Sequence, residues 1–197
     1  MRRRAGILML LALLTGSLPA ADGARAAPAA GSPPSAERSA TAAPAAATLD
    51  DLRAAASRGD AQAQYDLGVA LDCGRGVKRN RAQALEWLRK AADQDHVAAQ
   101  SVLGWKYMTG QGVRRDDAAA FAWLRRAAER DDTSAQNNLG ILYAQGRGTR
   151  ADAAEAAKWF RRAAEKGAVD ARRNLDALLA GHYRELGRGS APPLPRT

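Results

Sequence analysis

The sequence predicts an all-α fold, a solenoid of stacked helix-turn-helix units, and two observations carry that reading. A block recurs every 36 residues: Leu67-Gly68, Leu103-Gly104 and Leu139-Gly140 are each followed by a Gly-x-Gly, a Trp and an Ala-Ala pair. Within a block, apolar residues recur at helical period, as Ala99, Leu103 and Tyr107 do at i, i+4 and i+8. A unit this short cannot enclose a core alone and must stack on its neighbours. Most enzyme folds are thereby set aside, and function becomes a question of what a stacked surface binds.

Residues 1–26 read as a secretory signal: Arg2-Arg3-Arg4 precede an apolar stretch from Ala5 to Leu18, and small-residue cleavage candidates follow. Cleavage is expected after Ala24-Arg25-Ala26, with Leu18-Pro19-Ala20 as the alternative. The apolar run, broken by Gly16 and Pro19, falls short of the roughly 20 residues a spanning helix needs. A bacterial periplasmic or secreted location is expected, with membrane contact at most peripheral. Loss of Arg2, Arg3, Arg4, Arg25 and Asp22 takes the formal charge from +9 to +6, so much of the basicity belongs to targeting. Residues 27–47, nearly all Ala, Pro, Ser, Thr and Gly, are too poor in large apolar groups to offset the entropy of ordering and read as a disordered tether. The repeat domain spans 48–185, and residues 186–197, with Pro192-Pro193 and Pro195, read as a disordered tail.

Inside the domain, repeats fall at about 60–95, 96–131 and 132–167, flanked by half-repeat caps at 49–58 and 168–181. In the middle unit helix A runs from Val97 to Thr109 and Gly110-Gln111-Gly112 stops it, since glycine just past a helix end takes the left-handed conformation that closes the last turn. Asp116 and its counterparts Asn80 and Asp152 are strong N-cap types and begin helix B. Gln83 and Glu155 lie three residues beyond their caps, where a reciprocal capping box is expected; Ala119 cannot form one. Helix B carries Trp123, Leu124, Ala127 and Ala128 on one stripe. The mid-helix glycine after each leucine costs about 0.5–1 kcal/mol relative to Ala, so a packing reason is expected: close approach of A to B, with the Trp of B filling the space. In the last cap Asp176 replaces that glycine and the repeat decays.

These residues resemble the Sel-one-like repeat, a relative of the tetratricopeptide repeat: Ala99-Gln100, Leu103-Gly104, Tyr107, Gly110, Gly112-Val113, Asp116, Ala120, Trp123 and Ala127-Ala128 fill its pattern in the second unit. The departures are Leu71 for Tyr, Asn80 for Asp and Thr149 for Val. The resemblance implies a right-handed superhelix with helix A on the concave side, and an adaptor role. Secreted bacterial members bind partner proteins or serve envelope assembly and signalling.

On that orientation, the concave face presents Tyr65, Asp66, Val69, Trp105, Asn137, Asn138, Ile141, Arg173 and Asn174 as candidate partner-binding residues. Aromatics and Arg dominate binding hot spots, and the amides with Arg173 suit a peptide backbone or carboxylate. The alternative is that Trp105 packs against neighbouring A helices and the amides only solvate the groove. A second candidate is the basic edge on the A-to-B turns: Arg75, Lys78, Arg79, Arg114, Arg115, Arg147 and Arg150, suited to anionic polysaccharide, membrane surface or an acidic protein face. The pairs Arg89-Lys90, Arg125-Arg126 and Arg161-Arg162 read as structural, complementing helix C-termini.

Catalysis has little to work with. Cys73 is the sole cysteine and His96 and His182 the two histidines, with neither the ligand set a metal needs nor a base to activate a thiol. No cofactor, no metal and no nucleic acid are expected, and the Gly-x-Gly elements, each following a helix, are turns rather than phosphate loops. A remote alternative, a β-lactamase-like hydrolase, comes from cysteine-rich relatives that carry a regular Cys pair per repeat.

Overall fold

The computed structural model describes residues 48–181. The signal and tether assignments, His182 and the tail assignment lie outside them. Eight α-helices alternate along the described chain: α1 Leu49–Ser57, α2 Ala61–Cys73, α3 Arg81–Asp93, α4 Val97–Thr109, α5 Asp117–Glu129, α6 Thr133–Gln145, α7 Ala153–Glu165 and α8 Val169–Leu179. Helices α2, α4 and α6 are the A helices, α3, α5 and α7 the B helices, and α1 and α8 are a lone B and a lone A at the two ends.

Side chains set the helix boundaries. Asn80, Asp116 and Asp152 each accept from backbone N–H groups of the first turn of a B helix, as their spacing predicted. The reciprocal half of the capping box is absent there: Gln83 and Glu155 give only their backbone N–H groups to the caps. It forms instead at Thr48, where Asp51 returns the bond to the cap's own N–H. The A helices are capped by Asp60, His96 and Asp132. They end on Gly74, Gly110 and Gly146 at φ 76°, 76° and 65°, the left-handed conformation that costs glycine least.

Each A helix packs on its own B helix and on the B helix before it. Ala84, Leu88, Ala91, Ala92, Ala120, Leu124, Ala127 and Ala128 lie completely buried in these seams. The repeated glycine is the point of closest approach, but its partner is not the tryptophan. A Cβ at Gly68, Gly104 or Gly140 would sit 2.8, 2.6 or 2.6 Å from Leu88, Leu124 or Phe160, the residue after each Trp. A helical residue covers the turn N-terminal to its own Cα, and that places the neighbour of the tryptophan, rather than the indole, over the glycine.

Hydrogen bonds repeat with the same period. Gln64, Gln100 and Gln136 donate from Nε2 to the carbonyls of Ala56, Ala92 and Ala128 at 3.1, 3.1 and 3.2 Å. These carbonyls belong to the last turns of the preceding B helices, where intrahelical partners run out, so one glutamine per repeat joins two units. The B-to-A turns place Gly59, Asp95, Asp131 and Gly167 at positive φ, again 36 residues apart. The two aspartates hold the left-handed turn with their side chains: Asp95 accepts from Gln100 and Arg126, Asp131 from Gln136 and Arg162.

Candidate functional site

The A helices touch A helices of adjacent repeats, α4 with α6 and α6 with α8, and so line the inner side of the curve. The predicted binding residues of that face are for the most part taken up in these contacts. Trp105 is 7% exposed and belongs to one apolar cluster with Tyr65, Val102 and Leu139. Tyr65 stacks on His96, ring centroids 4.8 Å apart. Asn137, Asn138, Ile141 and Asn174 are buried, and Asn174 Nδ2 donates to Asn137 Oδ1 at 2.9 Å across the α6–α8 seam. Ser101 likewise donates to Asp132 at 2.8 Å across α4 and α6. Of the nine candidates, Asp66, Val69 and Arg173 retain open surface. They are joined there by Gln62, Cys73 and Thr109, all exposed.

His96 is a junction. Its Nδ1 accepts from the Ala99 N–H and its Nε2 faces Gln62 Oε1 at 3.0 Å. Burial holds the imidazole below its ordinary pKa despite the opposing pull of Asp66. The neutral tautomer with the proton on Nε2 satisfies both bonds at once.

Two further bridges between repeats use charge. Lys106, almost wholly buried on α4, donates to Asp72 Oδ2 at the end of α2 at 2.7 Å. Arg147 reaches from the third A-to-B turn to Asp117 Oδ1 at 2.7 Å and to the Met108 carbonyl at 2.8 Å. Arg115 meets Asp117 from the other side at 2.8 Å. These two guanidinium groups, Arg115 foremost, hold the Asp117 carboxyl far below the usual carboxylate range.

The basic edge is therefore of two kinds. Arg79 donates to the Asp72 carbonyl at 2.7 Å, and Arg115 and Arg147 converge on Asp117, so those three serve the stack. Arg75, Lys78, Arg114 and Arg150 are exposed, and Arg81 joins them where Gly112 of the next turn rests against its side chain. Lys78, Arg81, Arg114 and Arg150 make no ion pair among the described residues. The cations ending the B helices, Arg161 excepted, have specific partners. Lys90, Arg126 and Arg162 lie over Trp87, Trp123 and Trp159, and Arg126 and Arg162 also bridge to Asp95 and Asp131. Arg89 bonds the Tyr107 hydroxyl of the following repeat.

No group of three His, Cys, Asp or Glu side chains among the described residues is arranged to hold a metal ion. No helix among them is long and apolar enough to cross a membrane. Sequence reasoning passed over Gln64, Asp95, Lys106 and Asp117 as bridges. The 36-residue recurrence of Gln64, Gln100 and Gln136, and of Asp95 and Asp131, is the signal that finds two of these classes; Lys106 and Asp117 have no repeated counterpart.

The Sel1 repeat profile matches residues 61–96, 97–132 and 133–167, more than half of the chain. The chain belongs to the Sel1 repeat family. It is similar to a Sel1 repeat protein from Oxalobacter formigenes, 38% identical over 65% of this chain and 96% of that one, TM-score 0.60. It is also similar to c5321, a protective antigen present in uropathogenic Escherichia coli strains that displays an SLR fold: 40% identity, 68% of this chain, TM-score 0.64. The match spans only 29% of that longer protein. A third likeness, to Helicobacter pylori cysteine rich protein B, has 24% identity over 64% of this chain and 96% of that one, with a TM-score of 0.48. No curated protein matches the chain. Sel1 repeat arrays are in general scaffolds for protein–protein interaction.

Proposed function

We propose that this chain is a non-enzymatic adaptor of the bacterial envelope, periplasmic or secreted, that holds a partner protein or peptide along the inner, A-helix face of its solenoid. The supporting observation is the set of side-chain bridges between successive repeats, which leaves a preformed surface whose ordering cost is met during folding rather than on binding. Tyr65, Trp105, Asn137, Asn138, Ile141 and Asn174 act beneath that surface by fixing the spacing of the A helices. Asp66, Val69 and Arg173 meet the partner, so specificity lies in a charge of each sign with an apolar patch beside Asp66. Pull-down from a periplasmic extract compares wild type with an Asp66→Arg, Val69→Glu, Arg173→Glu variant of unchanged helix content. A partner recovered by wild type and lost by the variant is expected; equal recovery by both overturns the inner-face reading.

A second reading is favoured by one observation, the exposed and unpaired Lys78, Arg81, Arg114 and Arg150 on the turn edge. Charge-led association with anionic envelope polysaccharide or a membrane surface through these groups weakens steeply as salt shortens the range of attraction from about 30 Å at 0.01 M to about 8 Å at 0.15 M. Binding of anionic polymer that does not change between those salt concentrations counts against it.

A further inference from the structure

Helix α8 is an A helix, and no B helix follows it among the described residues. In the preceding repeat the residues 36 positions earlier are Thr133, Gln136, Gly140 and Tyr143, of which Gly140 meets Phe160 of α7 while Gln136 and Tyr143 also reach Ala128 and Phe121 of α5. On α8 the same positions are Val169, Arg172, Asp176 and Leu179, and all four are exposed. Val169, at 71%, and Leu179, at 59%, are the exposed large apolar residues of the described chain. The opposite side of α8 is buried through Ala171, Asn174 and Leu178. Residues 182–197 contain neither the Trp nor the Ala-Ala pair of a B helix, and Gly187, Gly189 and three prolines interrupt them. Among the described residues no further B helix covers the stripe.

The order of the stripe is self-complementary. Positions 169, 172, 176 and 179 follow the three-four spacing of a coiled-coil seam, and in an antiparallel pair each first position faces a second position of the other helix. Laid against a copy of itself about an axis at position 174, α8 sets Val169 against Leu179 and Arg172 against Asp176, each twice over. Both apolar residues meet apolar ones, and both charges meet their opposites. Arg172 and Asp176 make no ion pair with each other or with any other described residue. Asp176 also excludes the close approach of an ordinary B helix: a Cβ at the equivalent Gly140 would lie 2.6 Å from Phe160. The pairing is accordingly held at the wider 8–10 Å separation usual for packed helices.

We propose that the solenoid associates end to end with a second copy through antiparallel pairing of their α8 helices, a closed two-fold dimer that doubles the length of the array. This goes beyond the adaptor reading and does not depend on it. A two-fold contact uses the same patch on both subunits and closes without forming filaments. One helix from each side makes a small interface, at the weak and reversible end of specific association.

The test is sedimentation velocity of residues 27–197 across a concentration series, with Arg172→Asp and Asp176→Arg as separate variants. Wild type is expected to show a concentration-dependent dimer. Each variant alone sets like charges face to face and weakens dimerisation by about tenfold. An equimolar mixture of the two variants restores it, since every acidic position then faces a basic one. All four residues are exposed, so circular dichroism of both variants is expected to match wild type. A wild-type monomer throughout, variants that dimerise as wild type does, or a mixture no better than its components overturns the proposal. A full-length monomer that dimerises once residues 182–197 are removed also overturns it, and assigns the stripe to the chain's own tail.

Discussion

Gly104 shows how little room a repeat position has. A Cβ there would lie 2.6 Å from Leu124 Cγ and 3.0 Å from the Leu124 backbone nitrogen, and the backbone cannot step aside as a side-chain tip can. Alanine is worth about 1 kcal/mol more than glycine inside a helix, whereas overpacking costs about 1–3 kcal/mol. Gly104→Ala is therefore expected to lower the urea midpoint, and an unchanged or raised midpoint rejects close packing as the reason for this glycine. Lys106 is a second test at this scale. Removing one member of a buried ion pair strands the other and costs about 3–5 kcal/mol, while replacing both with apolar groups is often neutral or better. Lys106→Met is expected to destabilise strongly and the Lys106→Met, Asp72→Leu double variant to recover most of the loss; a double variant as unstable as the single one rejects the pairing.

Between elements, the junctions are joined by different devices on top of a shared one. Every described A helix that follows a B helix, α8 excepted, sends its glutamine to the last turn of that B helix. The first junction adds Lys106–Asp72 and the second adds Arg147–Asp117. Gly148 explains why the second is so close: its Cβ would lie 2.0 Å from the Asp117 carbonyl oxygen, so the third turn rests directly on α5. Asp117, with its pKa depressed in the fold, contributes stability that is complete above its ordinary 3.8 and is lost as pH falls below it. Asp117→Asn is accordingly expected to be less stable than wild type at pH 7 and to lose less on acidification from about pH 5 to pH 2. Parallel pH profiles of the two proteins, followed by thermal melts, contradict that assignment. The A-to-B spacing, the B-helix caps and the turn glycines were legible beforehand because each depends on residues near in sequence. The covering of Gly104 by Leu124 instead of Trp123 was not, because adjacent residues on one helix differ only in the direction of their side chains.

At the scale of the whole molecule, the described chain is a short stack with two different ends. Its N-terminal end begins with α1, a B helix whose Thr48 and Asp51 complete a capping box, and its C-terminal end leaves the Val169–Leu179 side of α8 open. Repeat arrays need polar outer faces on their terminal units to remain soluble singly. The Val169–Leu179 stripe departs from that rule, as a surface covered by a second copy would. A partner laid along the inner face, as proposed, would read several repeats at once and depend on their spacing.

The amino-acid sequence by itself determined the all-α solenoid, its 36-residue unit, the B-helix caps, the turn glycines and the family. A period of 36 residues repeats every local instruction three times, so each helix and each glycine is stated redundantly. Only the tertiary structure decided which variable residues remain open. Trp105 and Asn137 differ from their counterparts, as binding residues do, yet they are buried because neighbouring A helices converge on the inner side of the curve. That convergence is a property of how three units tilt against one another, and no single unit encodes it. Asp66, Val69 and Arg173 on the inner face, Lys78, Arg81, Arg114 and Arg150 on the turn edge, and the α8 stripe are the surface left over once the stack has closed.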